Sequence, residues 1–256
     1  MKNIPNLFTL LNLALGFVAI IFILQTNQTI AFVDTEGLIQ VDLPEKITWG
    51  AVLIFCAAIV DFLDGFLARL LKATSSMGKQ LDSLSDLVSF GVAPGLIIYQ
   101  LLRITYAKET DGLDISIAYL LPALLIPCAA AWRLAKFNLD EEQKFIFKGL
   151  PTPAVGLMIA SLPMILANAD SSINVTDIIL NKWILYLFIL IISYLMVSKL
   201  NLISMKFRGF SINDNIDKYL LIIFSIAAVI IFKWLATPFI LVTYVLVSLI
   251  FKNRKA

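Results

Sequence analysis

Long apolar runs alternate with short polar connections along the whole chain. The runs fall near residues 7–25, 47–71, 80–102, 115–135, 151–168, 182–198, 218–233 and 236–251. An apolar stretch of about 20 residues is long enough to cross a bilayer as a helix. The pattern therefore predicts an all-α, polytopic membrane helix bundle of about eight transmembrane helices, forming a single domain over residues 1–256. Only a short turn around Lys233 to Pro238 separates the last two runs, so a seven-span reading stands beside it. The N-terminal run, MKNIPNLFTLLNLALGFVAIIF, has no small-residue cleavage site and reads as a retained first span.

Charge orients these spans. Cytoplasmic loops of membrane proteins carry an excess of Lys and Arg. With the N-terminus inside and eight spans, the inner side holds 15 of the 20 basic residues, among them Arg69, Lys79, Arg133 and Lys136. The outer side holds Lys46, Arg103, Lys108, Lys182 and Lys233. The bias predicts both termini in the cytoplasm; seven spans would put the C-terminal KNRKA outside and weaken it. Composition agrees with a membrane protein: 60% of residues are hydrophobic, 15% are charged and the mean hydropathy is +0.90. The acidic connection at 26–46 reads as a solvated loop. Nothing in the chain suggests a nucleic-acid partner.

Against this background the stretch 61–86, DFLDGFLARLLKATSSMGKQLDSLSD, stands out for its carboxylates. Asp61, Asp64, Gly65 and Ala68 share one helical face, as do Gly78, Asp82, Asp86 and Ser89 on the next span. The topology brings all four aspartates to one depth, just inside the cytoplasmic face. Four carboxylates that close repel one another unless a cation sits among them. The chain has no His, and Cys56 and Cys128 lie in separate apolar runs, where they read as small buried packing residues. Oxygen ligands alone favour a hard cation such as Mg²⁺, Mn²⁺ or Ca²⁺. A two-cation site would suit in-line phosphoryl chemistry. Two other readings apply to the aspartates: solvated groups at the interface, or an ion pathway. The second would place carboxylates near the midplane or on paired broken spans.

The spacing Asp61-x-x-Asp64-Gly65-x-x-Ala68-Arg69, then eight residues, then Gly78-x-x-x-Asp82-x-x-x-Asp86 resembles the signature of the CDP-alcohol phosphatidyltransferases at every fixed position. That resemblance implies a membrane enzyme moving a phosphatidyl group from a CDP-linked lipid to an alcohol, with release of CMP. It implies Asp61, Asp64, Asp82 and Asp86 as ligands of divalent metal, Mg²⁺ or Mn²⁺ and two ions in number, with Asp86 also the general base. Gly65, Arg69, Ser75 and Gly78, with Asn6 and Thr9 from IPNLFTLLNL, would contact the CDP moiety. Further stretches, SFGVAPGLIIY, WRLAKFN and FKGLPTPAVG, resemble the phosphatidylserine synthase branch, so the substrates implied are CDP-diacylglycerol and L-serine. Glycerol 3-phosphate or inositol phosphate is the alternative acceptor, and a cation transporter or channel the alternative of another class. The resemblance covers about residues 1–160, the expected catalytic core. Lys136 stands where that branch is expected to carry Arg, keeping the charge but not the bidentate fork. Arg133 and Lys136 are the candidate acceptor-binding residues. Lipid surroundings, a homodimer, the cell (inner) membrane and an active site facing the cytoplasm complete what is implied.

Overall fold

The computed structural model describes residues 4–24, 31–33, 39–41, 44–71, 73, 75–109, 115–139, 147–168, 175–202 and 216–250. The basic residues at 2, 72, 144, 206, 208, 252, 254 and 255, and much of the 26–46 connection, lie outside them. Among the described residues the fold is helical, with helix on each of the eight predicted apolar runs. These are α1 (Ile4–Leu24), α2 (Glu45–Leu70), a third rod made of α3 (Ser76–Asp86), a π-helical turn (Leu87–Val92) and α4 (Ala93–Ala107), then α5 (Leu125–Leu139), α6 (Thr152–Ala167), the short α7 (Val175–Ile179), α8 (Lys182–Val197), α9 (Ile216–Phe232) and α10 (Ala236–Ile250). Three are long and apolar enough to cross a membrane: residues 5–24, 45–70 and the 32-residue rod 76–107. The others are shorter. Short 3₁₀ segments precede α5 and join α9 to α10.

Two small antiparallel strand pairs were not legible in the hydropathy pattern. Ala31–Val33 pairs with Ile39–Val41 between α1 and α2, and Phe147–Lys148 pairs with Asn201–Leu202. The second ties the entry of α6 to the exit of α8. Gly149 follows it at φ 78°, and an added Cβ would lie 2.5 Å from the Met196 carbonyl oxygen. Only glycine takes that conformation at that distance without strain. Pro151 and Pro153 then open α6, as their fixed φ suits a helix start.

Contacts along the first three rods fix their directions. Thr9 meets Asp64, whereas Gly50 packs on Ile23, so α1 and α2 run antiparallel. Ser85 Oγ donates to the Thr9 carbonyl at 3.0 Å, Ser89 Oγ to the Asn12 carbonyl at 3.0 Å, and Gln100 Nε2 to the Ile23 carbonyl at 2.9 Å. The third rod thus runs parallel to α1. The Gln100 bond also satisfies one of the carbonyls that the last turn of a helix leaves without a partner. In lipid, apolar burial gives helices little reason to associate, so such bonds and close small-residue packing carry the assembly. Leucine, isoleucine and phenylalanine side chains cover the outside instead, with Phe62, Ile230 and Leu7 among the most exposed.

The π turn is where the rods pack most tightly. Gly16 of α1 lies against Ser89, Gly91 against Ala130 of α5, and Gly156 of α6 against Phe90. Each contact brings one backbone to within a missing methyl group of its neighbour. Cys56 is half-buried, but Cys128 is exposed, which corrects the expectation that both are buried: α5 turns Ala129 and Ala130, not Cys128, toward the bundle.

A Cβ at Gly16 would stand 2.3 Å from Ser89 Oγ and 2.9 Å from Ser89 Cα. Gly16→Ala is expected to destabilise the protein by about 1–3 kcal/mol through overpacking. Thermal unfolding in detergent checks it, with Gly65→Ala as the control, since nothing lies within 4 Å of a Cβ there.

Candidate active site

α2 carries Asp61 and Asp64 in its last three turns, and α3 carries Asp82 and Asp86 in its last two. The two helices are placed so that the carboxylates converge. One oxygen each from Asp61, Asp64 and Asp82 lies within 4.8 Å of the others. The Asp86 carboxyl lies beside that of Asp61. Asp64 and Asp86 are only 5% and 8% exposed. Among the described residues, no Lys or Arg nitrogen comes within 4.0 Å of any of the four. Concentrated anionic oxygen without a paired side chain fits a hard divalent cation. Oxygens bound about 2.0–2.6 Å from one ion stand no more than roughly 4–5 Å apart, as these do.

α1 supplies the polar groups that orient the carboxylates. Thr9 Oγ1 sits 2.8 Å from Asp64 Oδ2 and 3.1 Å from the Pro5 carbonyl. Asn12 Nδ2 approaches Asp86 Oδ1 at 3.4 Å, and its buried Oδ1 has no protein partner among the described residues. Ser89 does not join the carboxylate face: its hydroxyl is spent on the Asn12 carbonyl. Ser89 lies instead in line with Ser85, four residues earlier, whose hydroxyl also bonds α1, and a π turn begins between them after Asp86. Such turns break the 3.6-residue period on which the predicted face rested, and they recur at functional sites.

A cavity of about 570 Å³ opens beside the cluster, walled by α1, α2 and α3. Asn6, Thr9, Asp64, Gly65, Arg69, Ser75, Gly78 and Asp82 all line it. Every residue singled out for the CDP moiety thus borders one space. Ser75 is the N-cap of α3, its Oγ accepting from Gly78 N at 2.9 Å. Gly78 leaves room for Asn6, whose Oδ1 would be 3.0 Å from an added Cβ. Gly65 faces open space.

Arg133 and Lys136 do not border this cavity. With Trp132, Phe137, Met196 and Ser198 they line a separate narrow cleft between α5 and α8. Arg133 is 8% exposed, so it is no interfacial anchor. Its Nη1 donates to Thr152 Oγ1 at 3.1 Å, its Nε has no partner among the described residues, and its charge lies within electrostatic reach of Asp86. Lys136 is half-buried at the rim of the cleft.

Lys79 was read from sequence only as a basic loop residue, yet it lines the cavity. Asn12 was also missed. A lone Asn inside an apolar span is a signal that can find such residues.

The sequence profile of the CDP-alcohol phosphatidyltransferase family matches residues 2–195. The chain belongs to this family. Similar curated proteins include three named CDP-diacylglycerol–serine O-phosphatidyltransferase. The Bacillus subtilis protein is 32% identical over 162 residues, covering 63% of this chain and 76% of the relative. The Mycobacterium leprae protein is 28% identical over 211 residues, 80% of this chain and 61% of the relative. The Methanocaldococcus jannaschii protein is 37% identical over 107 residues, 42% of this chain and 46% of the relative. The match therefore spans less than two thirds of the latter two proteins.

Thr9→Val keeps shape but removes the hydroxyl that orients Asp64. Loss of such an outer partner is expected to lower divalent-cation affinity about 10–100-fold. Mn²⁺ titration followed by electron paramagnetic resonance measures it.

Proposed function

We propose that the chain transfers the phosphatidyl group of CDP-diacylglycerol to the hydroxyl of L-serine, giving phosphatidylserine and CMP. The observation that carries this reading is the convergence of Asp61, Asp64, Asp82 and Asp86 beside a cavity bordered by Asn6, Thr9, Gly65, Arg69, Ser75 and Gly78. The names of the relatives supply the choice of serine.

Asp61, Asp64 and Asp82 would hold divalent metal, Mg²⁺ or Mn²⁺, with Asp86 at its edge. Bound metal would polarise the phosphoryl oxygens and offset the charge that grows in the transition state. The protein's own groups do the rest. Arg69 at the cavity wall faces the anionic pyrophosphate, and Gly65 leaves space for the nucleotide. Thr9 holds Asp64, and Asn12 holds Asp86. Asp86 takes the proton from the serine hydroxyl as its oxygen attacks phosphorus. The new P–O bond forms while the bond to CMP breaks, and CMP leaves as the phosphate monoester. A base placed within hydrogen-bond reach contributes about 10²–10⁴-fold to such a step.

The buried Arg133 offers a cationic fork near Asp86 for the carboxylate of serine. It would suit the phosphate of glycerol 3-phosphate or inositol phosphate equally, so the acceptor is decided by assay. In the membrane, the reading has eight spans, both termini and the active site on the cytoplasmic side of the cell membrane, one domain and a homodimer. The described helices support the alternation. α5 and α8 end, and α6 begins, at the carboxylate end of the bundle, while Arg103, Lys108 and Lys182 lie at the other.

The test uses purified full-length protein in detergent with CDP-diacylglycerol and Mg²⁺ or Mn²⁺. CMP release is followed with serine, glycerol 3-phosphate or inositol phosphate. Release with serine alone is expected. Release only with another alcohol overturns the serine assignment, and no release with any overturns the enzyme reading. Asp86→Asn is expected to lower turnover by about 10²–10⁴-fold while CDP-lipid binding persists. Near-normal turnover would remove Asp86 as the base.

A further inference from the structure

Two cationic side chains line the cavity, Arg69 and Lys79, and the family motif includes only the first. Lys79 is not loose. Its Nζ donates to the Asn138 carbonyl at 3.2 Å and sits 5.7 Å from the centre of the Phe137 ring. Asn138 Nδ2 in turn donates to Ser83 Oγ at 2.9 Å, and Ser83 Oγ to the Lys79 carbonyl at 3.2 Å. These contacts form a closed circuit between the first turns of α3 and the last turn of α5.

The circuit has a physical reason. α5 ends at Leu139, so the Asn138 carbonyl is among those its last turn leaves unpaired. A Lys ammonium satisfies such a carbonyl and favours the negative end of the helix dipole. An ammonium carries three donors, and the carbonyl uses one of them. The remaining donors belong to a side chain that borders the cavity. Lys79 thus borders the space that Arg69 also walls, while its exposed side chain is anchored at Nζ to the end of α5.

We infer that Lys79 is a phosphate-binding residue of the cavity, held in place by the Asn138–Phe137 end of α5 and acting with Arg69 on the diphosphate of a cytidine nucleotide. This deepens the function proposed above and rests on its assignment of the cavity to CDP. The carboxylates hold the metal side of the diphosphate, and the two cations face its remaining oxygens. One ammonium would then join the nucleotide cavity to α5, the helix that bears Arg133 and Lys136.

The test compares equilibrium binding of CDP and of cytidine, which lacks phosphate, to the full-length protein in detergent with Mg²⁺. Wild type is expected to prefer CDP. Lys79→Met is expected to cut the CDP-to-cytidine affinity ratio about tenfold, as for loss of a charge-assisted hydrogen bond, with cytidine affinity retained. Lys79→Arg is expected to keep most of the ratio, which a general loss of folding would not allow. An unchanged ratio in both variants, with wild type preferring CDP, overturns this inference alone. Equal loss of CDP and cytidine binding in Lys79→Met also overturns it, as a purely structural effect. Wild type that binds neither ligand, or both equally, overturns the assignment of the cavity and this inference with it.

Discussion

Mutual repulsion among four carboxylates is the constraint around which this bundle is built. Asp61, Asp64, Asp82 and Asp86 come from two successive helices, α2 and α3, that bring their carboxylates together. Side chains of α1 are placed to address them: Thr9 on Asp64 and Asn12 on Asp86. The third rod is fastened to that same helix through Ser85, Ser89 and Gln100. The glycines around the π turn let α1, α5 and α6 close on it. Ser85, Ser89 and the tight contacts of Gly16, Gly91 and Gly156 thus lie at and beside the level where the charge is concentrated, while Gln100 fastens the far end of α1.

The opposite end of the bundle is organised differently. Tyr106 and Tyr186 share a hydroxyl contact of 2.9 Å, and Tyr186 donates to the Tyr119 carbonyl at 2.7 Å. Lys182 pairs with Glu109 and lies over the Tyr106 ring. Aromatic rings with a polar tip and a neutralised pair make a closed, satisfied junction of α4, α8 and the 3₁₀ segment before α5. Unmet polar atoms are found at both levels: Asn12 Oδ1, Arg133 Nε and Asn138 Oδ1 toward the carboxylate end, Gln100 Oε1 toward the other, and Ser193 Oγ on α8 have no protein partner among the described residues.

Much of this was legible from sequence because hydropathy and fixed spacing are local signals. Each of the eight apolar runs holds helix, and Asn6, Thr9 and the motif residues other than Asp61 and Asp86 border one cavity. What escaped the sequence depends on contacts between distant segments. The π turn after Asp86 and the commitment of Ser89 to the Asn12 carbonyl of α1 are of this kind. Lys79 looked like a loop charge because its partners, Phe137 and Asn138, lie more than fifty residues away. Arg133 and Lys136, three residues apart, read from sequence as one acceptor site. The fold buries the first beneath Thr152 and leaves the second half-buried at the rim. Cys128 was expected inside because its run is apolar, but in a membrane bundle an apolar residue can as well face lipid.

The central claim is that the four aspartates form a cation site whose repulsion the empty protein must bear. Thermal unfolding of the full-length protein in detergent across a Mg²⁺ titration tests it most directly. A ligand that binds only the folded state raises the midpoint with its concentration. Wild type is predicted to show that rise, whereas Asp82→Asn, with one repelling charge removed, starts from a higher midpoint without Mg²⁺ and gains little on its addition. A wild-type midpoint indifferent to Mg²⁺ and Mn²⁺, together with an Asp82→Asn midpoint at or below that of wild type, would contradict the account.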